Sequence, residues 1–130
     1  MLVVLDTNVL VSGLLTPQGT CARLLGLFRS NTIVPCYDAR IFIEYGNVLF
    51  YDRFPITDAD ATHLLNAIRF DGCPVIPEPL SEDFPDESDR PFFEVATSAG
   101  APLITGNLRH YPKNDLVIPP ATFLKHFEST

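Results

Sequence analysis

The sequence predicts an α/β sandwich with a central, mostly parallel sheet of about five strands. Three observations carry that expectation. Short apolar runs of strand length alternate with longer stretches of helical spacing along the chain. The first run, Met1-Leu2-Val3-Val4-Leu5, is unbroken where a half-exposed strand would alternate, as in a strand buried on both faces of a parallel sheet. That run ends on Asp6-Thr7-Asn8, at the carboxyl end where open α/β sheets bind ligands.

The elements follow in order. Val9 to Leu15 is apolar with small polar interruptions and reads as a short helix, broken at Thr16-Pro17-Gln18-Gly19. Thr20 is expected to cap a helix running to about Arg29, and Thr32-Ile33-Val34-Pro35 to form the second strand. Asp38 opens a helix from Ala39 to about Tyr51, with Ile41, Tyr45, Val48 and Leu49 as its inward stripe and Phe54-Pro55 closing it. Thr57-x-x-Asp60 resembles a capping box and starts a helix that stops near Asp71-Gly72. Pro74-Val75-Ile76 reads as the third strand, and Pro77 to Phe84 as a solvated loop. Asp86-Glu87-Ser88-Asp89 opens the next helix, with Gly100 as its stop. Pro102 to Thr105 and Leu116 to Ile118 are the last two strands, separated by a loop from Leu108 to Asn114. Pro119-Pro120 leads into a terminal helix.

Length and composition narrow the class. The 130 residues suit one domain, 1–130, with a real core, and a composition 46% hydrophobic and 19% charged is that of a globular protein. No apolar run approaches the ~20 residues of a membrane span, and Asp6 stands where a signal peptide is apolar, so a cytoplasmic protein is expected. Cys21, Cys36 and Cys73 are widely spaced with no CxxC pair, which indicates neither a zinc site nor a disulfide framework. The net charge of −7 excludes nucleic-acid binding through a broadly basic surface; any such binding must use local cations and bound metal.

The chemistry-bearing pattern is a set of acids. Asp6 is at a strand end, Glu44 falls on or beside the apolar stripe of its helix, and Asp89 shares a helix face with Phe93 and Ala96. Asn107 follows the fourth strand and so reaches the same rim of the sheet. Carboxylates brought together raise one another's pKa, and a hard divalent cation removes the conflict. Oxygen donors without His or Cys suit Mg2+ or Mn2+, which polarise phosphates and activate water for in-line attack. Thr7, Asn8, Ser12 and Thr105 are expected to support the acids or a phosphate by hydrogen bonds. Each residue also has a structural alternative. Asp6 can make an Asx-turn, Glu44 can face solvent, and Asp86 reads first as a helix cap that can also reach the metal or its water. Asp89 can complete a capping box with Asp86, and His110 reads as a loop-packing residue. His63 and His126 read as surface residues.

Taken together, Val3-Val4-Leu5-Asp6-Thr7-Asn8, Ile43-Glu44-Tyr45 with Val48-Leu49, Asp89-Arg90-Pro91-Phe92-Phe93-Glu94-Val95-Ala96, and Leu103-Ile104-Thr105-Gly106-Asn107 resemble the PIN-domain family. The likeness is greatest to its bacterial VapC-like branch, the toxins of toxin–antitoxin pairs. The resemblance covers nearly the whole chain and implies a PIN-like, Rossmann-like α/β/α fold and a metal-dependent ribonuclease. It implies Asp6, Glu44 and Asp89 as catalytic and metal-binding residues, with Asn107 also on the metal. It further implies a cognate antitoxin and a homodimer. The chain departs from the family in its Thr105-Gly106-Asn107 turn, where many members carry a fourth acid. Asn still offers an oxygen, but no charge, and this puts a second tightly held metal in doubt. A non-catalytic PIN scaffold and a Mg2+-dependent phosphotransfer domain are the rival classes. The segment after Leu5 lacks the second acid that haloacid-dehalogenase-type phosphatases use two residues later.

Overall fold

Five strands form one sheet in the computed structural model, which describes residues 1–128. They are β1 (Leu2–Leu5), β2 (Val34–Tyr37), β3 (Cys73–Pro74), β4 (Leu103–Ile104) and β5 (Val117–Ile118), in the order β3-β2-β1-β4-β5. Every pairing is parallel. Six helices flank the sheet: α1 (Thr7–Leu15), α2 (Thr20–Arg29), α3 (Ala39–Leu49), α4 (Asp58–Asp71), α5 (Arg90–Ala99) and α6 (Pro120–Glu128). Helices α3 and α5 pack on β2, with α5 also against β1 and β4, while α1, α2 and α6 make a second packed group.

The unbroken apolar run of β1 is explained by its place. It is the central strand, and Val3, Val4 and Leu5 are fully buried. The chain adds β2 and β3 on one side of β1, then returns to add β4 and β5 on the other. That reversal opens a crevice past the carboxyl ends of β1 and β4. In register, Leu5 lies beside Ile104, so Asp6 and Thr105 leave the sheet side by side.

Several helix ends use the expected signals. Asp38 accepts from the Ile41 N–H at 2.9 Å, Thr57 accepts from the Asp60 N–H at 3.1 Å, and Gly100 stops α5 in the left-handed conformation at φ 62°. Other boundaries differ. Gly19 takes the cap position of α2 and Thr20 is its first residue. Strand β2 begins two residues later than expected, because Asn31 turns left-handed (φ 60°) and the N–H groups of Thr32 and Ile33 both fold back onto the Leu27 carbonyl. Helix α3 ends at Leu49 with Phe50 as its cap, before Phe54-Pro55 is reached. Strand β3 is Cys73–Pro74, and after the Val75 N–H bonds the Tyr37 carbonyl the chain leaves the edge, with Ile76 almost fully exposed. The expected helix start at Asp86 is a 3-10 turn, Glu87–Asp89, and a second such turn, Leu108–His110, lies within the expected loop.

The segment Pro77 to Phe84 is not a free solvated loop. Glu94, only 3% exposed, accepts from the Leu80 N–H at 2.8 Å and from Arg40 Nη1 at 2.9 Å. Arg90 donates to the Leu80 and Glu82 carbonyls, each at 2.7 Å, and its guanidinium lies 4.8 Å from the Phe84 ring. Phe84 is buried edge-on against Phe93 and Tyr111. A buried carboxylate and an arginine therefore clip this loop to α5.

Tyr45, fully buried on α3, donates its hydroxyl to the Leu5 carbonyl and so ties α3 to the end of β1. Tyr45→Phe leaves that carbonyl short of a donor, and a loss of about 1–3 kcal/mol is expected in urea unfolding with an unchanged m value. A loss below the error of the measurement would show that the bond does not hold β1 to α3.

Candidate active site

Asp6 is 4% exposed and lies where β1 passes into α1. Its backbone N–H bonds the Ile104 carbonyl at 3.0 Å, which continues the sheet pairing by one residue. Its side chain makes no helix-capping bond; instead Oδ2 accepts from Thr105 Oγ1 at 2.6 Å. The Asn107 N–H donates to that same Thr105 oxygen at 3.0 Å, which leaves the hydroxyl proton for Asp6. The turn after β4 thus orients a carboxylate that follows β1.

Glu44 is half-buried on α3 and accepts a hydrogen bond from Thr7 Oγ1 on the first turn of α1. Asp89 stands where the 3-10 turn runs into α5, with its side chain 14% exposed and one oxygen 3.4 Å from His110 Nδ1. Asp86 is exposed, and its carboxylate accepts from the Ser88 N–H at 2.9 Å, the capping role the sequence suggests. Three acids from three different elements thus face the crevice at the sheet reversal.

Their electrostatics bind them into one group. Burial raises the Asp6 pKa, offset in part by the Thr105 hydroxyl and the neighbouring Thr7 N–H. Burial also raises that of Glu44, against the Thr7 hydroxyl, with the charges of Asp6 and Asp86 adding to the rise. Asp89 is pushed up to about 6 by burial first, then by the charge of Asp6, with His110 pulling the other way. The hydrogen bond to Ser88 holds Asp86 below the usual carboxylate range.

Some expected site residues are elsewhere. Asn8 and Ser12 are exposed, and neither side chain makes a hydrogen bond among the described residues. Both lie on the solvated side of α1, so no supporting contact to the acids is present. Asn107 contributes its backbone N–H to Thr105, while its side chain makes no cap bond. Conversely, His110 does more than pack a loop. It stands against Asp89, and Asp6, Asp86 and Asp89 all lie near enough for a protonated imidazole to favour their charged forms. Tyr111 was not anticipated. Its buried hydroxyl is near enough to Asp6 to favour the charged carboxylate, yet it completes no hydrogen bond. The only sequence signal for it is its position next to His110 after the Thr105-Gly106-Asn107 turn.

Among the described residues, no lysine or arginine neutralises the acids. Arg40 is turned to Asp38 and Glu94 at 2.7 and 2.9 Å, and Arg90 to Glu87 at 2.5 Å. Among the described residues, no three Asp, Glu, His or Cys side chains are drawn together tightly enough to form a ready-made ion site. The acids instead spread onto Thr105, Thr7 and His110. The donor set nevertheless fits a hard divalent cation, because every acid oxygen is an anionic ligand and such an ion would offset the burial that raises all three acids and the charge that Asp6 adds to Glu44 and Asp89.

Residues 2–109 match the family model described as the PIN domain. The chain belongs to the PIN domain family. No curated protein and no solved structure matches it. PIN domains are typically nucleases, and the nucleases among them generally use divalent metals. The parallel five-stranded sheet with flanking helices is consistent with the PIN fold. No helix among the described residues is long and apolar enough to cross a membrane.

The raised acids of this PIN domain give a definite pH dependence. Asp89 titrates at about 6 when folded and at its lower ordinary value of 3.8 when unfolded. Between those values the folded state binds more protons, so stability rises as pH falls from 7 toward 4. Urea unfolding in the presence of chelator should therefore show a midpoint that climbs as pH drops through 6. Asp89→Asn should flatten that climb and raise stability at pH 7.5. A midpoint falling steadily over the same range would contradict this account.

Proposed function

We propose that this PIN domain is a metal-dependent endoribonuclease in which Asp6, Glu44 and Asp89 are the catalytic, metal-holding residues. The observation that carries the reading is three carboxylates with raised pKa values, after β1, on α3 and just before α5, near enough for the Asp6 charge to raise the other two, with no lysine or arginine among the described residues to neutralise them. Mg2+ or Mn2+ would be held by these acids with Asn107 as a neutral oxygen donor, and when bound it supplies Lewis-acid polarisation of a phosphate and an activated water. The protein's own contribution is orientation. Thr105 fixes Asp6, Thr7 fixes Glu44, and the clipped loop before Asp86 fixes the start of α5. His110 presents an imidazole to the same crevice, where a docked phosphate meets its N–H.

The substrate class follows from the chemistry, since such a site reads the phosphodiester and leaves base identity to other contacts. We further propose that the protein is the toxin of a toxin–antitoxin pair, acting in the cytoplasm as a homodimer. A cognate antitoxin with a basic side chain would cover the acids; the net charge of −7 favours a basic partner. Exposed Ile43, Phe70 and Ile76 supply apolar surface of the kind that protein interfaces bury.

The test is cleavage of a mixed single-stranded RNA panel by the purified protein with Mn2+, with Mg2+ and with chelator. Metal-dependent cutting is expected, reduced about a hundredfold or more in Asp6→Asn, Glu44→Gln and Asp89→Asn. Thr105→Val, which keeps the shape but removes the donor to Asp6, should lower Mn2+ affinity and cutting by about 10–100-fold. Absence of both cutting and Mn2+ binding would favour a PIN scaffold that only binds a partner, a reading supported by the neutral Asn107 in the turn.

A further inference from the structure

An acidic chain that handles RNA must oppose its own field somewhere, and the free cations locate the place. Of nine Lys and Arg residues, several are committed elsewhere. Arg40 pairs with Asp38 and Glu94, Arg90 with Glu87, and Arg23 with Glu128, while Arg69 lies 6.0 Å from the Phe70 ring. Arg29 lines a pocket that also holds Asp60 and Asp71. Arg53 and Lys125 are exposed too, Lys125 on a groove with the Arg23–Glu128 pair, but Arg109 and Lys113 lie together on a groove that shares Tyr111 with the acids. Both are exposed, neither has an acidic partner among the described residues, and both line one groove of about 570 Å3. Asp115 is the single acid on that groove, so its balance is positive.

The groove shares a wall with the acid site. Tyr111 lines it, and the same side chain lies beside Asp6 and Asp89. His110, between Arg109 and Tyr111 in sequence, turns the other way and meets Asp89. The segment from Asn107 to Lys113 therefore runs from the turn beside Asp6 to the positive groove.

We propose that this groove is the track for single-stranded RNA beside the scissile bond, with Arg109 and Lys113 holding flanking phosphates. The inference rests on the ribonuclease reading and adds where the substrate lies. Flanking phosphates approaching Asp6, Glu44 and Asp89 meet repulsion from an acidic chain, and unpaired guanidinium and ammonium groups at the rim of the site offset it. Backbone contacts of this kind place the strand without reading its sequence.

The experiment compares intact wild-type protein with R109A/K113A and, as a control cation elsewhere, R29A. Binding of a labelled mixed-sequence single-stranded RNA is followed by fluorescence anisotropy in chelator over a range of KCl. The double variant should bind more weakly, and its plot of log affinity against log salt should be shallower by about 1.4, from two contacts at about 0.7 each. In Mn2+ its cleavage should show a KM raised about tenfold, the loss falling on KM and not on kcat. R29A should follow wild type in both measurements. An unchanged slope and KM in R109A/K113A overturns the track, as does an equal loss in R29A. Cutting with normal KM by the double variant removes the track and keeps the nuclease. Salt-dependent binding that needs Arg109 and Lys113, in a protein that cuts nothing, keeps the track and removes the nuclease.

Discussion

The hydrogen bond from Thr105 to Asp6 joins the two strands at which the sheet reverses direction, and the crevice depends on it. A carboxylate 4% exposed is costly to ionise unless donors are aimed at it. The Asn107 N–H takes a lone pair of the Thr105 oxygen, and the hydroxyl proton is thereby committed to Asp6. From this corner the rest follows. Thr7, next in sequence, reaches Glu44, and Tyr45, next after Glu44, reaches back to the Leu5 carbonyl. Residues 5 to 7 and 44 to 45 are stitched by reciprocal side-chain bonds, so β1 and α3 set each other's position.

Much of the fold was legible in the chain because its strongest signals are local. The unbroken Val3-Val4-Leu5 run needs a position buried on both sides, and it occupies the sheet centre. Asp38, Thr57 and Gly100 act through neighbours a few residues away and end their helices as their chemistry suggests. The errors have a common origin in longer-range bonds. Thr32 and Ile33 look like strand residues by composition, but their N–H groups go to Leu27 once Asn31 turns. The Pro77 to Phe84 segment looks solvated until Glu94, fifty-four residues beyond Arg40, is seen to accept from Arg40 and from Leu80. No periodicity announces a buried acid whose partners come from another helix and a loop.

The site divides the same way. Asp6, Glu44 and Asp89 were visible as acids on apolar faces, and Thr7 and Thr105 as small donors at strand ends. Asn8 and Ser12 are carried to solvent by the helical turn of α1 and make no bond to the acids. His110 and Tyr111 were undervalued because their role arises only when the turn after β4 folds back over residues that follow β1. The protein also segregates its charges. Arg40 and Arg90 are spent on Glu94, Glu87 and loop carbonyls, which keeps two cations from quenching the acids and makes them structural clips instead.

The bond between Asp6 and Thr105 spans ninety-nine positions of the chain, and this has a consequence in time. The central strand is made well before one of its two neighbours in the sheet, β4. At about 5–20 residues per second of synthesis, Asp6 waits roughly 5–20 s for its partner. Throughout that interval the acids share no crevice, and Asp89 emerges only shortly before the turn that orients Asp6. A ribosome producing this chain is therefore beside an unassembled site until the fourth strand has left the exit tunnel.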